Sequence, residues 1–250
     1  MNTKEKIIAA LETSKGDFIS GEELAEEIGV SRNAVWKAIK TLKEQGYNIE
    51  AVTNKGYKLS SDSDIISREG IALGLDNIDL IECIEIYEEI SSTNDLAKKY
   101  LYLDVPQRLD DPDNKCHIII AKKQTGGRGH NRSSFASPKG GIYMSIVLPE
   151  DMMKSDKSVG FSEHIRECVV KSIYKLSGLK LEEQGSQGLY LNGVKICGIL
   201  TETLSDYDEG TISDYIIGIG IRYDELWGKK SKSYLTRNKL IADIINRVIL

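Results

Sequence analysis

The 250-residue chain reads as an α+β protein: an N-terminal winged helix-turn-helix followed by a larger domain built around a mixed sheet. Three observations predict this. Residues 1–60 hold three short helical stretches and then an Asn/Gly hairpin. The run Ser60-Ser61-Asp62-Ser63-Asp64 is polar throughout and suits a connection between domains. Beyond it, strand-like segments predominate and helices are interspersed without regular βαβ alternation. The expected division is 1–60, a linker at 61–66, and 67–250.

Lys4 to Leu11 places Ile7, Ile8 and Leu11 on one helical face. Ser20, followed three residues later by Glu23, is a capping-box pattern that starts a second helix, and Gly29 ends it. Ser31 caps a third helix, Arg32 to Gln45, with Val35, Ile39 and Leu42 facing inward and Gly46 as the left-handed stop. Two helices joined by a short glycine turn form a helix-turn-helix, whose second helix enters the major groove. Tyr47–Val52 and Tyr57–Leu59, around Thr53-Asn54-Lys55-Gly56, add the wing. Ser31, Arg32, Asn33, Lys37, Lys40 and Lys55 are the candidate contacts to bases and phosphates. Residues 1–60 carry nine Lys/Arg and nine Asp/Glu, so the segment is neutral, but its cations gather on the third helix.

In the larger domain, Leu80–Glu89 reads as a strand ending in Ser91-Ser92-Thr93-Asn94, good caps for a helix beginning near Leu96. Asp104 to Asn114 reads as a surface loop. Ile118–Ala121 and Ile142–Leu148 are strands, and Phe161–Leu176 is a helix. Asn192-Gly193 is a two-residue hairpin turn between Leu189–Leu191 and Val194–Leu200. Ile212–Ile221 is a further strand, and Arg237–Leu250 a closing helix with Leu240, Ile241, Ile244, Ile245 and Val248 on its core face.

Composition narrows the function classes. A charged share of 28% and a net charge of −5 exclude a protein coated in positive charge. No stretch has the ~18–20 apolar residues of a membrane helix, and no apolar signal core follows Met1, so a cytoplasmic protein is expected. Four scattered cysteines without a C-x-x-C pair read as free thiols. Three histidines, none paired at i,i+4, argue against a zinc site.

The chemistry concentrates between Gln124 and Ser145. Glycines let the backbone approach a ligand, and Arg128 between Gly127 and Gly129 can grip phosphate or carboxylate oxygens with paired hydrogen bonds.

Taken together, the winged helix, Ser92-Thr93-Asn94, Gln124-Thr125-Gly126-Gly127-Arg128-Gly129, Ser137–Ser145, Leu189–Leu200 and Ile217–Ile221 resemble the BirA-type family of bifunctional biotin–protein ligases and biotin operon repressors. The resemblance covers nearly the whole chain. It implies activation of biotin by MgATP to biotinyl-adenylate, transfer to a lysine of a biotin carboxyl carrier protein, operator binding and a homodimer. By resemblance, Ser92, Thr93, Asn94, Gln124 and Lys195 contact biotin. Gly127, Arg128, Gly129 and His130 belong to the loop that orders over the adenylate. Lys195 and Arg128 are the catalytic candidates, and no protein-bound metal site is implied.

The departures from the family pattern also cluster. His130 and Ser133 stand where the loop's further arginines belong, and Arg132 where a glycine does. A histidine with an ordinary pKa of ~6.5 is mostly neutral at cytosolic pH. Gln184-Gly185-Ser186-Gln187-Gly188 replaces a segment that brings Lys, Trp and Asp to ATP and its metal, and Arg222 replaces an Asn. The small C-terminal β-barrel of the family, SH3-like, has no counterpart up to Leu250. The expected function is therefore a repressor that senses biotin or biotinyl-adenylate with weak or lost ligase activity. Two alternatives stay open: a working bifunctional ligase and repressor, or a regulator of another acyl ligand.

Overall fold

A computed structural model describes residues 1–108, 115–152, 160–183, 188–205, 212–227 and 235–249. The chain divides into two units, Met1–Gly74 with Ser231–Ala242, and Leu75–Lys230 with Asp243–Leu250.

The first unit is the winged helix, with α1 (Thr3–Thr13), α2 (Gly21–Ile28), α3 (Arg32–Glu44), and the antiparallel hairpin β1 (Ile49–Val52) and β2 (Gly56–Leu59). Ile7, Leu11, Leu24, Val35, Ile39, Leu42, Ile49 and Leu59 form its buried core. The caps are local and explicit. Ser20 Oγ accepts the Glu23 N–H at 3.0 Å, and Ser31 Oγ accepts that of Ala34 at 3.2 Å. The complete reciprocal capping box lies instead at Asn2 and Glu5. Gly29 and Gly46 take the left-handed conformation, as the helix stops require. Ile19 extends the wing by exchanging two 2.9 Å backbone bonds with Tyr57. A side chain at Gly56, where φ is +100°, would collide with the Ile19 carbonyl.

The expected linker residues belong to this unit. Ser63 and Ile66 are buried, and Asp64 pairs with Arg237 at 2.6 Å. Then α4 (Arg68–Ala72), absent from the sequence reading, starts with Ser67 as its cap. Burial pushes the Tyr47 hydroxyl up to about 12, with Ser67 as its hydrogen-bond partner. Polarity at 60–64 concealed this packing because hydroxyls and a carboxylate are buried when they find partners.

The second unit has a seven-stranded sheet of order β3-β4-β5-β9-β8-β7-β6. Its strands are β3 (Ile81–Tyr87), β4 (Cys116–Ala121), β5 (Ile142–Pro149), β6 (Glu182–Glu183), β7 (Gly188–Leu191), β8 (Val194–Ser205) and β9 (Ile212–Ile221). β3 and β4 pair in parallel and all other neighbours are antiparallel, which makes the sheet mixed. Its helices are α5 (Thr93–Arg108), α6 (Phe161–Ser177), α7 (Tyr223–Trp227) and α8 (Arg237–Ile249), the last contributing to both units. α5 packs on β4, β5 and β9, with Ala97 and Leu101 against Ile119, Val147 and Ile216. Asn192 and Gly193 both have positive φ at the β7–β8 turn, as that dipeptide predicts.

The loop expected from Asp104 is corrected here: α5 continues to Arg108. Ala97 and Leu101 anchor the helix on the sheet, and it runs on through Asp104 and Pro106, although a proline inside a helix costs about 3 kcal/mol. The remainder of that stretch, 109–114, lies outside the described residues. None of the four cysteines is in a disulfide. Among the described residues no helix is long and apolar enough to cross a membrane.

Candidate functional site

The second unit's pocket is assembled where β3 and β4 end. Ser92, Thr93 and Asn94 are all buried at the start of α5, where Ser92 Oγ accepts the Asp95 N–H at 3.3 Å. Gln124, just beyond β4, ties two segments together. Its Oε1 accepts the Thr93 N–H at 2.8 Å, and its Nε2 donates to Ser137 Oγ at 3.0 Å. Gly127 to Phe135 form a small hairpin, with the Phe135 N–H on the Gly127 carbonyl and the Gly129 N–H on that of Ser133, both at 2.8 Å. Its tip is a tight turn, His130–Arg132, in which Asn131 is left-handed.

These segments and the middle of β8 and β9 surround a cavity of about 180 Å³. Ser92, Thr93, Asn94, Gln124, Arg128, Gly129, His130 and Lys195 all line it, whereas Gly127 does not. The cavity is small against the ~300–1,000 Å³ usual for ligand clefts. Phe135 is one reason: a Cβ at Gly220 would lie 2.5 Å from its ring, and one at Gly198 2.8 Å. The two glycines make room for that ring, so the loop rests on the pocket floor.

Charge around the cavity is unequally committed. Arg128 Nε contacts both carboxylate oxygens of Asp95, at 2.9 and 3.0 Å. Glu202 is held by Lys98 at 2.7 Å and by Asn94 Nδ2 at 3.0 Å, while Asn94 Oδ1 accepts from Ser145 Oγ at 2.6 Å. Burial works to raise the Glu202 carboxyl, but the bonds from Lys98 and Asn94 and the charges of Lys98 and Arg128 outweigh it. The carboxyl lies below its ordinary value. Lys195 is different: among the described residues no carboxylate lies within ion-pair distance of it. Two residues on, burial pushes the Cys197 thiol up to about 12 against the pull of the Lys195 ammonium, so that sulfur is no nucleophile.

In the first unit, Ser31, Arg32, Asn33, Lys37 and Lys40 are all exposed on α3 or at its cap. Arg32 pairs with Glu22 of α2 at 2.5 Å. Lys55 sits at the wing turn, 5.8 Å from the Phe18 ring. The sequence reading passed over Trp36, which is 53% exposed on the same helix with Lys40 5.9 Å from its ring. Its signal was its phase, one residue out of step with Val35 and Ile39. It also passed over Asp95 and Glu202, the carboxylates that hold Arg128, Lys98 and Asn94. Nothing in a linear sequence marks partners 33 and 108 residues away. The neutral segment at Gln184–Gln187 lies outside the described residues. Arg222 is described, within 3.4 Å of Glu225.

Residues 87–221 match the biotin/lipoate A/B protein ligase family, and residues 3–58 match an HTH domain. The first match takes in more than half of the chain, and the chain belongs to the biotin/lipoate A/B protein ligase family. The bifunctional ligase/repressor BirA of Bacillus subtilis (strain 168) is 30% identical over 223 residues, which are 89% of this chain and 65% of that protein. Its namesake from Escherichia coli (strain K12) is 31% identical over 217 residues, 86% and 62% of the two chains. This chain thus spans less than two thirds of the length of either relative. A solved biotin protein ligase from Aquifex aeolicus in complex with biotin and ATP matches with a TM-score of 0.50 at 19% identity. It covers 67% of this chain and 68% of that one, a likeness of fold.

Proposed function

We propose that this protein is a DNA-binding repressor whose second unit binds biotin or biotinyl-adenylate, with ligase activity weak or lost. The observation that carries the reading is the division of labour among the pocket's cations. Lys195 faces the cavity with no carboxylate partner among the described residues, while Arg128 is engaged by Asp95. An ammonium so placed neutralises a ligand carboxylate, and the buried Ser-Thr-Asn and Gln124 supply directional hydrogen bonds around an acyl head group.

Adenylation asks for more. Charge that develops on the phosphate in the transition state must meet fixed positive groups or a metal. Of the described residues lining the cavity, only Lys195 and Arg128 carry permanent positive charge, and none is a carboxylate able to hold magnesium. The residues fit the acyl ligand and one phosphate, and they do not by themselves fit MgATP, so no step is assigned to the metal. Each missing charge-assisted contact lowers the rate by about 10²–10³. The α3 cations and the wing lysine support the DNA half, with a homodimer and operator DNA as the partners that accord with the family.

A second reading, a working ligase that transfers biotin to a biotin carboxyl carrier protein, is favoured by one observation: Lys195, Arg128 and Gln124 all line one cavity. Incubation with biotin, MgATP and a carrier domain separates the two. The repressor reading expects biotin binding with little transfer; turnover at a rate typical of ligases overturns it.

A further inference from the structure

The parallel pairing of β3 and β4 brings together three side chains that the pocket does not use. Cys83 lies opposite His117 in the register, and Glu85 is two residues along on the same face of β3. His117 is almost wholly buried, whereas Cys83 and Glu85 are half-buried and reachable from solvent. His117 Nε2 lies 2.9 Å from Cys83 Sγ and 2.7 Å from Glu85 Oε1, and the sulfur and that oxygen are 3.9 Å apart. We propose that Cys83, Glu85 and His117 form a zinc site that fastens the edge strand β3 to β4.

Three alternatives to zinc can be weighed on the geometry. A cysteine–histidine–carboxylate relay needs the two partners on different ring nitrogens, as in a triad. Here both contacts converge on Nε2, so the carboxylate cannot orient the ring while the other nitrogen activates the thiol. A plain hydrogen-bonded cluster is also poorly served. A deprotonated Nε2 accepts the thiol proton but then faces the Glu85 carboxylate, lone pair to lone pair. A protonated Nε2 must share one hydrogen between oxygen and sulfur. The third alternative, calcium or magnesium, is disfavoured because both seek oxygen donors. One sulfur, one nitrogen and one oxygen suit a borderline ion such as zinc.

The dimensions agree. Tetrahedral zinc with ordinary bond lengths puts its ligand atoms about 3.4–3.6 Å apart, so Nε2 and its two partners need to separate by roughly 0.7 Å. Rotation of the two half-exposed side chains can supply that. A thiolate and a carboxylate balance the double charge of the ion, and water completes the fourth position. Binding runs as one zinc ion plus the Cys83 thiol, neutral His117 and the Glu85 carboxylate, giving the three-ligand complex and one proton released from sulfur to the buffer. Tyr87 donates its hydroxyl to the other oxygen of Glu85 and so orients the ligand. His117 Nδ1 is buried without a hydrogen-bond partner among the described residues, so micromolar rather than tighter affinity is expected.

The site is separate from the pocket. His117 stands at the start of β4 and the Gln124 loop follows its end, about 13 Å along the strand. Sequence spacing hid it, because residues 83, 85 and 117 fit no zinc pattern until the strands pair.

The experiment titrates zinc into the metal-stripped full chain against a chromophoric chelator, then repeats the titration with cobalt and records its spectrum. One ion per chain, about one proton released per zinc, and a thiolate-to-cobalt charge-transfer band are expected. Cys83→Ser abolishes the band and the binding; Tyr87→Phe weakens binding about tenfold. Cys168→Ser, which removes a buried thiol elsewhere, changes neither. Far-ultraviolet circular dichroism verifies that each variant is folded, and Cys83→Ala serves if Cys83→Ser is not. Zinc binding no tighter in the wild type than in Cys83→Ser, or a cobalt spectrum without a sulfur band, overturns the proposal. Biotin binding is measured on the same samples, so failure of the zinc site stays distinct from failure of the pocket.

Discussion

The winged helix and the pocket are built by opposite strategies. In the first, every decisive contact of α2 and α3 is local: Ser20 caps through Glu23, Ser31 through Ala34, and Gly29 and Gly46 stop their own helices. In the second, Gln124 bridges Thr93 and Ser137, and Asn94 bridges Ser145 and Glu202, across separations of up to 108 residues. A reading surface can be presented by one rigid helix. A ligand must be surrounded, and surrounding requires strands that are distant in sequence. Damage should therefore spread in the pocket and stay confined in the winged helix.

Asn94→Ala gives the largest expected effect. It leaves Glu202 with one partner fewer and removes the amide oxygen that accepts from Ser145 Oγ, and a bond to a charged group is worth about 1.5–3 kcal/mol. Thermal unfolding should report a loss of that order together with weaker ligand binding. A loss within error would mean that the network is incidental. Ser31→Ala should cost about 1 kcal/mol, the usual value of a cap, and weaken DNA binding while biotin affinity is unchanged. If biotin affinity falls as well, the two units are not separable in this way. The smallest effect is expected from Asp95→Asn, which releases an Arg128 whose ion pair is half-exposed. Such pairs contribute up to about 1 kcal/mol, so affinity for an anionic ligand should rise by up to about fivefold. No gain, by calorimetry, would show that Asp95 does not restrain the loop.

The same contrast explains what was legible in the sequence. Caps, glycine stops and the Asn192-Gly193 turn are local rules, and they located most elements to within a few residues. Of the residues singled out by the family motifs, Ser92, Thr93, Asn94, Gln124, Arg128 and Lys195 line one cavity. Asp95, Glu202 and the Phe135 ring over Gly198 and Gly220 were invisible because each matters only through a partner brought in by the sheet. The continuation of α5 to Arg108 was missed for a related reason: packing of Ala97 and Leu101 overrode a polar composition. Ser63 and Asp64 were misjudged as mere linker because their partners lie elsewhere in the unit.

Calorimetric titration of biotin into the wild-type chain and into Lys195→Ala tests whether Lys195 is the cation reserved for the ligand. Saturable one-site binding is expected in the wild type, with affinity at least about tenfold lower in the variant, as for loss of a charge-assisted contact. Equal affinity in both, or no saturable heat in the wild type, would contradict it.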